Sequence, residues 1–94
     1  MKFLSSRLVS NGIYILDEPE APLSPLRQMT LISIINEMKS KNCQFFIATH
    51  SPILMAIPGA QIFYIDHSCI RETLYEDVEH VKITKDFLNN PDFF

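Results

Sequence analysis

"GIYILDEPEAPLSP", residues 12–25, decides how this 94-residue chain is read. Residues 13–16 form an uninterrupted apolar run with two β-branched side chains and an aromatic one. That composition suits a strand buried on both faces of a parallel sheet. The run stops on two adjacent carboxylates, Asp17 and Glu18, and the chain then turns through Pro19, Pro22 and Pro25. A carboxylate pair at the tip of an apolar strand is costly unless something uses it.

Working outward, Ser24-Pro25 reads as a helix start, with Ser at the N-cap and Pro at the first helical position. The helix is expected to run to about Lys41, with Met29, Ile32, Ile35 and Met38 as its apolar stripe. Glu37 and Lys41 pair on its outer side. "KSKN" (39–42) closes it, and "QFFIATH" (44–50) follows as a second buried strand ending on Thr49-His50. Strand, helix and strand at this spacing predict parallel neighbours joined by a right-handed crossover. In such sheets the ligand crevice lies at the carboxyl ends of the strands. Asp17, Glu18, Thr49 and His50 all sit at carboxyl ends, so the four side chains are expected to converge.

The flanks are plainer. Phe3, Leu4 and Leu8 have helical spacing, and Asn11-Gly12 is a suitable helix stop. Pro52 opens a short helix or turn through Ala56, which Pro58-Gly59 breaks. "QIFYID" (61–66) and "SCIRETL" (68–74) read as a hairpin around Asp66-His67. From residue 76 to 90 the pattern loosens, and Val78, Val81, Ile83 and Phe87 suggest a helix or an irregular docking segment. "YEDVEH" (75–80) is expected to be a solvated face. His67 reads as a turn residue and His80 as solvent-facing, neither at zinc spacing. The Phe45-Phe46 and Phe93-Phe94 pairs read as core or interface.

Composition sets the outer limits. Ninety-four residues make one domain at most. At 47% hydrophobic, the chain has material for a core and is not a disordered tail. A net charge of −3 and a pI near 5.5 argue against a free-standing nucleic-acid binder. Any link to DNA would run through regions outside this chain. Cys43 and Cys69 form neither a disulfide framework nor a metal-ligand pattern, and they read as reduced thiols. "MKFLSS" lacks the apolar stretch of a signal peptide, and no apolar run is long enough to span a membrane. The expectation is a soluble, cytoplasmic protein with no membrane partner.

The convergent residues suit one chemistry. An Asp at the end of a buried strand can hold hydrated Mg²⁺, usually through water. The next residue, Glu18, can orient or deprotonate an attacking water, and a positioned general base contributes about 10²–10⁴-fold. His50 can hydrogen-bond a terminal phosphate oxygen or the water, with Thr49 helping to place it. Positioning and charge stabilisation of this kind carry most of phosphoryl transfer. A polar turn after a core strand would explain Asp17-Glu18-Pro19 alone, and a loop residue would explain His50 alone. A helix that brings the two strand ends side by side favours a common use.

These segments resemble the ABC-type branch of the P-loop ATPases, which includes the SMC and RecF-like proteins. "IYILDEPE" (13–20) resembles the Walker B strand, "APLS" (21–24) lies at the D-loop, and "IATHSP" (47–52) resembles the switch-histidine loop. The variant "DEPEAPLSP … ATHSPILMAIPGAQIFYID" is most similar to soluble bacterial AAA-family ATPases of the ABC/RecF-like group. The resemblance covers roughly residues 1–75. It implies an α/β fold: part of a P-loop NTPase parallel sheet with a crossover helix and a C-terminal β-hairpin. It also implies ATP and Mg²⁺ as ligands, with Asp17 on the metal, Glu18 as catalytic base and His50 sensing the γ-phosphate. Thr49 and Ser24 would belong to the nucleotide-binding surface. Residues 21–24 would meet a partner subunit, a second copy or a companion ATPase chain, so that two subunits sandwich two Mg-ATP. The family D-loop often ends in Asp where this chain has Ser24.

The family's phosphate-binding loop is missing from these residues, as are its signature motif and glutamine loop. The two glycines, Gly12 and Gly59, precede no Lys-Ser or Lys-Thr, so no G-x-x-x-x-G-K-[ST] loop can be drawn from the chain. The expectation is therefore the C-terminal portion of a single ATPase domain, starting inside it and inactive and unstable alone. The rival reading is a non-catalytic truncated module that docks on an intact ATPase. A transporter nucleotide-binding subunit comes third.

Overall fold

Residues 11–93 are described by a computed structural model. The expected helix over residues 1–10 lies outside them, as does Phe94. The chain divides into two compact units, the first ending at Pro58 and the second beginning at Gly59.

In the first unit, strand β1 (Ile13–Asp17) pairs in parallel with β2 (Gln44–Ala48). Helix α1 (Pro25–Lys39) connects them. The register sets Ile13 opposite Gln44 and Asp17 opposite Ala48. Ser24 caps α1 as its sequence predicts, its Oγ accepting from the Arg27 N–H at 3.3 Å. The helix ends two residues earlier than expected, on Lys39. Asn42 then takes a left-handed φ of 62°, a conformation Asn tolerates better than most residues. The turn is held by the Cys43 N–H donating to the Met38 carbonyl at 3.1 Å. Glu37 and Lys41 pair at 3.7 Å across this end.

The core lies between α1 and one face of the sheet. Leu31 and Ile35 of α1 cluster with Leu54 and Ile57, and Leu23, Ile32, Phe45 and Ile47 pack against them. Tyr14 stacks on Phe45 with ring centroids 5.3 Å apart. Two sequence expectations are corrected here. The buried stripe is Leu31, Ile35 and Met38, with Ile32 half-buried, whereas Met29 is exposed. Secondly, the strands are not buried on both faces. Ile13 is 70% exposed, Ile15 81% and Phe46 52%. Alternate residues of a strand point to opposite sides. Tyr14, Leu16, Phe45 and Ile47 therefore turn inward, and the other face of this two-stranded sheet stays open.

Leu54–Ala56 forms a short 3₁₀ turn. Its first N–H, on Leu54, is taken by the buried Ser51 Oγ at 3.2 Å. In the second unit, β3 (Ile62–Ile65) and β4 (Ile70–Thr73) make the expected antiparallel hairpin. One oxygen of Asp66, Oδ1, closes its turn by accepting from Ser68 N–H, Ser68 Oγ–H and Cys69 N–H at 2.8–2.9 Å. A 3₁₀ turn, Tyr75–Asp77, leads into α2 (Glu79–Asn89), whose Val81 is buried. The loosened pattern after residue 76 is thus a regular helix.

Candidate functional site at the carboxyl ends of the parallel strands

Pairing of β1 with β2 carries the chain one step past Asp17, where the Glu18 N–H donates to the Ala48 carbonyl at 2.7 Å. Glu18 has a φ of 46°. For a residue with a Cβ, the left-handed region costs roughly 1–2 kcal/mol. This single strained residue ends the strand and starts the turn. The Ala21 N–H donates back to the Glu18 carbonyl at 3.1 Å, and the Leu23 N–H to the Glu20 carbonyl at 2.8 Å. The segment from 18 to 24 is therefore a tightly hydrogen-bonded turn delivering Ser24 to the cap of α1.

Opposite it, β2 ends at Ala48 and passes into Thr49 and His50. The structure brings the predicted pair together: His50 Nε2 lies 3.9 Å from Glu18 Oε1. Both side chains are largely exposed, so the pair is open to solvent and of little worth to stability. Asp17 lies exposed at the last ladder position, opposite Ala48. The Ser24 Oγ is engaged in capping α1.

Sequence reasoning missed the residue that holds the site in shape. Glu20, half-buried, accepts from the Thr49 hydroxyl at 2.7 Å through Oε1 and from the His50 N–H at 3.2 Å through Oε2. Burial alone would push its carboxyl up. The Thr49 hydroxyl, its own backbone, the His50 N–H and the His50 charge outweigh that and hold it below the usual Glu value. The Thr49 Oγ1 in turn accepts from the Ser51 N–H at 3.0 Å. Ser51 Oγ donates to Gln28 Oε1, and Gln28 Nε2 donates to the Leu23 carbonyl at 3.2 Å. The available signal was the third acid of "DEPE", just beyond a strand end whose neighbour ends in bare donors.

No group of three His, Cys, Asp or Glu side chains that could hold a metal occurs among the described residues. The carboxylate of Asp17 is an oxygen donor open to solvent. It suits a hard, hydrated cation such as Mg²⁺, which keeps several waters and takes one or two carboxylates alongside substrate phosphates.

The family profile described as "AAA domain, putative AbiEii toxin, Type IV TA system" matches residues 3–56, more than half of the chain. The chain belongs to this AAA-domain family. The matched AAA stretch contains β1, the turn, α1, β2 and the 3₁₀ turn, and hence every residue of the candidate site. An ATPase-like, nucleotide-binding domain fragment of α/β architecture follows from that membership, and ATP with Mg²⁺ is the usual ligand pair of AAA-family ATPases. No curated protein matches the chain. Among the described residues, no helix is long and apolar enough to cross a membrane.

Proposed function

We propose that this chain supplies the Walker B and switch-histidine half of the ATP-hydrolysing site of an ABC/RecF-like AAA ATPase. The observation that carries the reading is the approach of Glu18 and His50 beside Asp17, at the carboxyl ends of two parallel neighbours. Glu18 accepts a proton from the attacking water as its oxygen bonds to the γ-phosphorus and the bond to the β–γ bridging oxygen breaks. His50 hydrogen-bonds the γ-phosphoryl group or the water and keeps the two in line. Asp17 would hold Mg²⁺ through water, and the cation neutralises phosphate charge when bound. Ser24 and Thr49 border the nucleotide side of the turn and loop. The phosphate-cradling loop comes from further residues of the same polypeptide or from a companion chain, in a homodimer or mixed pair that closes over ATP. The 94 residues form the C-terminal part of that ATPase domain and work in the cytoplasm.

The test is Glu18→Gln in the ATPase assembled from this chain and its phosphate-loop-bearing half. ATP should remain bound while hydrolysis falls about 10²–10⁴-fold, the usual contribution of a positioned base. Turnover at the parental rate would overturn the assignment.

A second reading draws on a separate observation, the open sheet face with Ile13, Ile15 and Phe46. It makes the chain a non-catalytic module that docks on an intact ATPase. Co-purification with that ATPase, without nucleotide binding by the site residues, would favour it.

A further inference from the structure

We propose that Glu20 is the positioning residue of this site: its carboxylate fixes where His50 stands by tying the switch loop to the turn after β1. The inference rests on the ATPase reading and goes beyond it, because it assigns a role to a residue outside the catalytic set.

Glu20 acts through the loop that carries the imidazole. One oxygen takes the hydroxyl proton of Thr49 and the other takes the N–H of His50. The carboxylate thus grips two consecutive residues of the loop, which fixes the direction of the peptide that carries the imidazole. The grip closes into a ring. From Glu20 it passes through Thr49 and Ser51 to Gln28 on α1, then to the Leu23 carbonyl, and the Leu23 N–H returns it to the Glu20 carbonyl. Every link is a hydrogen bond of side chain or backbone within the first unit. The loop carrying His50 and the turn carrying Glu18 therefore move as one piece, which keeps the exposed imidazole near the Glu18 carboxylate.

The chemistry of the residue matters as much as its place. A carboxylate presents an acceptor to both donors, and bonds to an ionised acceptor are about twice as strong as neutral ones. A Gln offers one acceptor oxygen and a donor NH₂, so it cannot accept from both Thr49 and His50, and any bond it keeps is to a neutral oxygen. Removing the charge at nearly constant volume therefore tests the grip and not the packing.

Two experiments decide it. The first is NMR of the 94-residue chain without nucleotide. In the parent protein the His50 amide signal should shift with pH in step with the Glu20 side-chain carboxyl carbon. Glu18 and His50, the other ionisable groups facing the loop, are followed by their own side-chain signals. In Glu20→Gln the His50 amide should exchange with solvent about tenfold faster or more, as expected where a local hydrogen bond is lost. The cross-peak between the His50 ring and the Glu18 side chain should vanish while the Leu31 and Leu54 methyl signals stay in place. A His50 amide that ignores the Glu20 ionisation in the parent protein overturns the proposal, even if the variant fails to fold. The second is steady-state kinetics of the assembled ATPase. Glu20→Gln should lower kcat at least tenfold, toward the roughly 10²-fold that an ångström of misplacement costs. KM for ATP should stay within about twofold, since only transition-state interactions are lost. An active parent enzyme with an unimpaired variant overturns the role of Glu20 and leaves the ATPase reading intact. An assembled parent that never hydrolyses ATP defeats the ATPase reading, and the NMR result still stands on its own.

Discussion

The imidazole Nε2 of His50 lies 3.9 Å from Oε1 of Glu18, although the two residues are about thirty positions apart in the chain. Glu18 is delivered by its positive φ and its ladder bond to Ala48, and His50 by the carboxylate of Glu20. Both groups are thus placed by the turn and the loop that carry them.

Glu18 occupies a left-handed position that penalises β-branched side chains far more than glycine. Glu18→Gly should therefore be more stable than Glu18→Val by about 1–2 kcal/mol. Urea unfolding of the two variants side by side measures the gap. Equal midpoints would mean that the turn adopts another conformation in solution.

Ser51 is buried, and its N–H and hydroxyl serve three partners: the N–H donates to Thr49, and the Oγ donates to Gln28 and accepts from Leu54. Ser51→Ala removes the last two. It leaves the first N–H of the 3₁₀ turn without its cap, so a loss of about 1–2 kcal/mol is expected. Ser51→Thr, which keeps the hydroxyl, should recover part of it. An alanine variant as stable as the parent would show that the polar ring contributes nothing to folding.

Acid should weaken the two units through different groups. Glu20 in the first unit and Asp66 in the second are both held below their ordinary values of 4.5 and 3.8. For Asp66 the Ser68 N–H is the leading cause, followed by the Ser68 hydroxyl and the Cys69 N–H. A carboxyl whose pKa is depressed by folding stabilises the native state above its unfolded pKa. It loses that contribution as pH falls through the folded value. Urea midpoints should therefore show no change from these groups between neutral pH and about 5, then a fall below the ordinary carboxylate range. Glu20→Gln should flatten that fall for the first unit, and Asp66→Asn for the second. An unchanged acid limb in either variant would remove its carboxyl from the account.

The open face of the β1–β2 sheet gives a fourth expectation. Ile15 is 81% exposed beside Ile13 and Phe46, and an apolar edge of this kind invites association. Ile15→Lys should raise the concentration at which the chain first self-associates in light scattering, without lowering the urea midpoint. If association is unchanged, contacts elsewhere drive it.

The readable parts of the sequence were those where local chemistry leaves one solution. Ser24-Pro25 could only start a helix. "KSKN" could only end one, and Asp66 closed the hairpin with its own carboxylate. Parallel neighbours placed Asp17, Glu18, Thr49 and His50 at one end, as the strand–helix–strand spacing implied. The failures came where apolar residues outnumber the surfaces that can cover them. Helix α1 carries Leu26, Met29, Leu31, Ile32, Ile34, Ile35 and Met38, so apolar spacing alone does not choose a stripe, and it favours Met29 where the fold buries Leu31. "IYIL" reads the same in a central strand as in a two-stranded sheet, because burial depends on neighbours that a short apolar run does not name. Glu20 was hidden among carboxylates whose uses were more obvious.

The pairing of Ile13 with Gln44 also sets a clock. A parallel partner lies on the order of 30 residues downstream, and translation proceeds at roughly 5–20 residues per second, so β1 leaves the ribosome roughly 2–6 s before β2 can meet it. During that interval Tyr14 has no Phe45 to stack on, and the whole "IYIL" segment is bare to whatever else is in the cell. Synthesis rate and chaperone capture at that segment, as much as the finished contacts, will govern how much of this protein a cell accumulates.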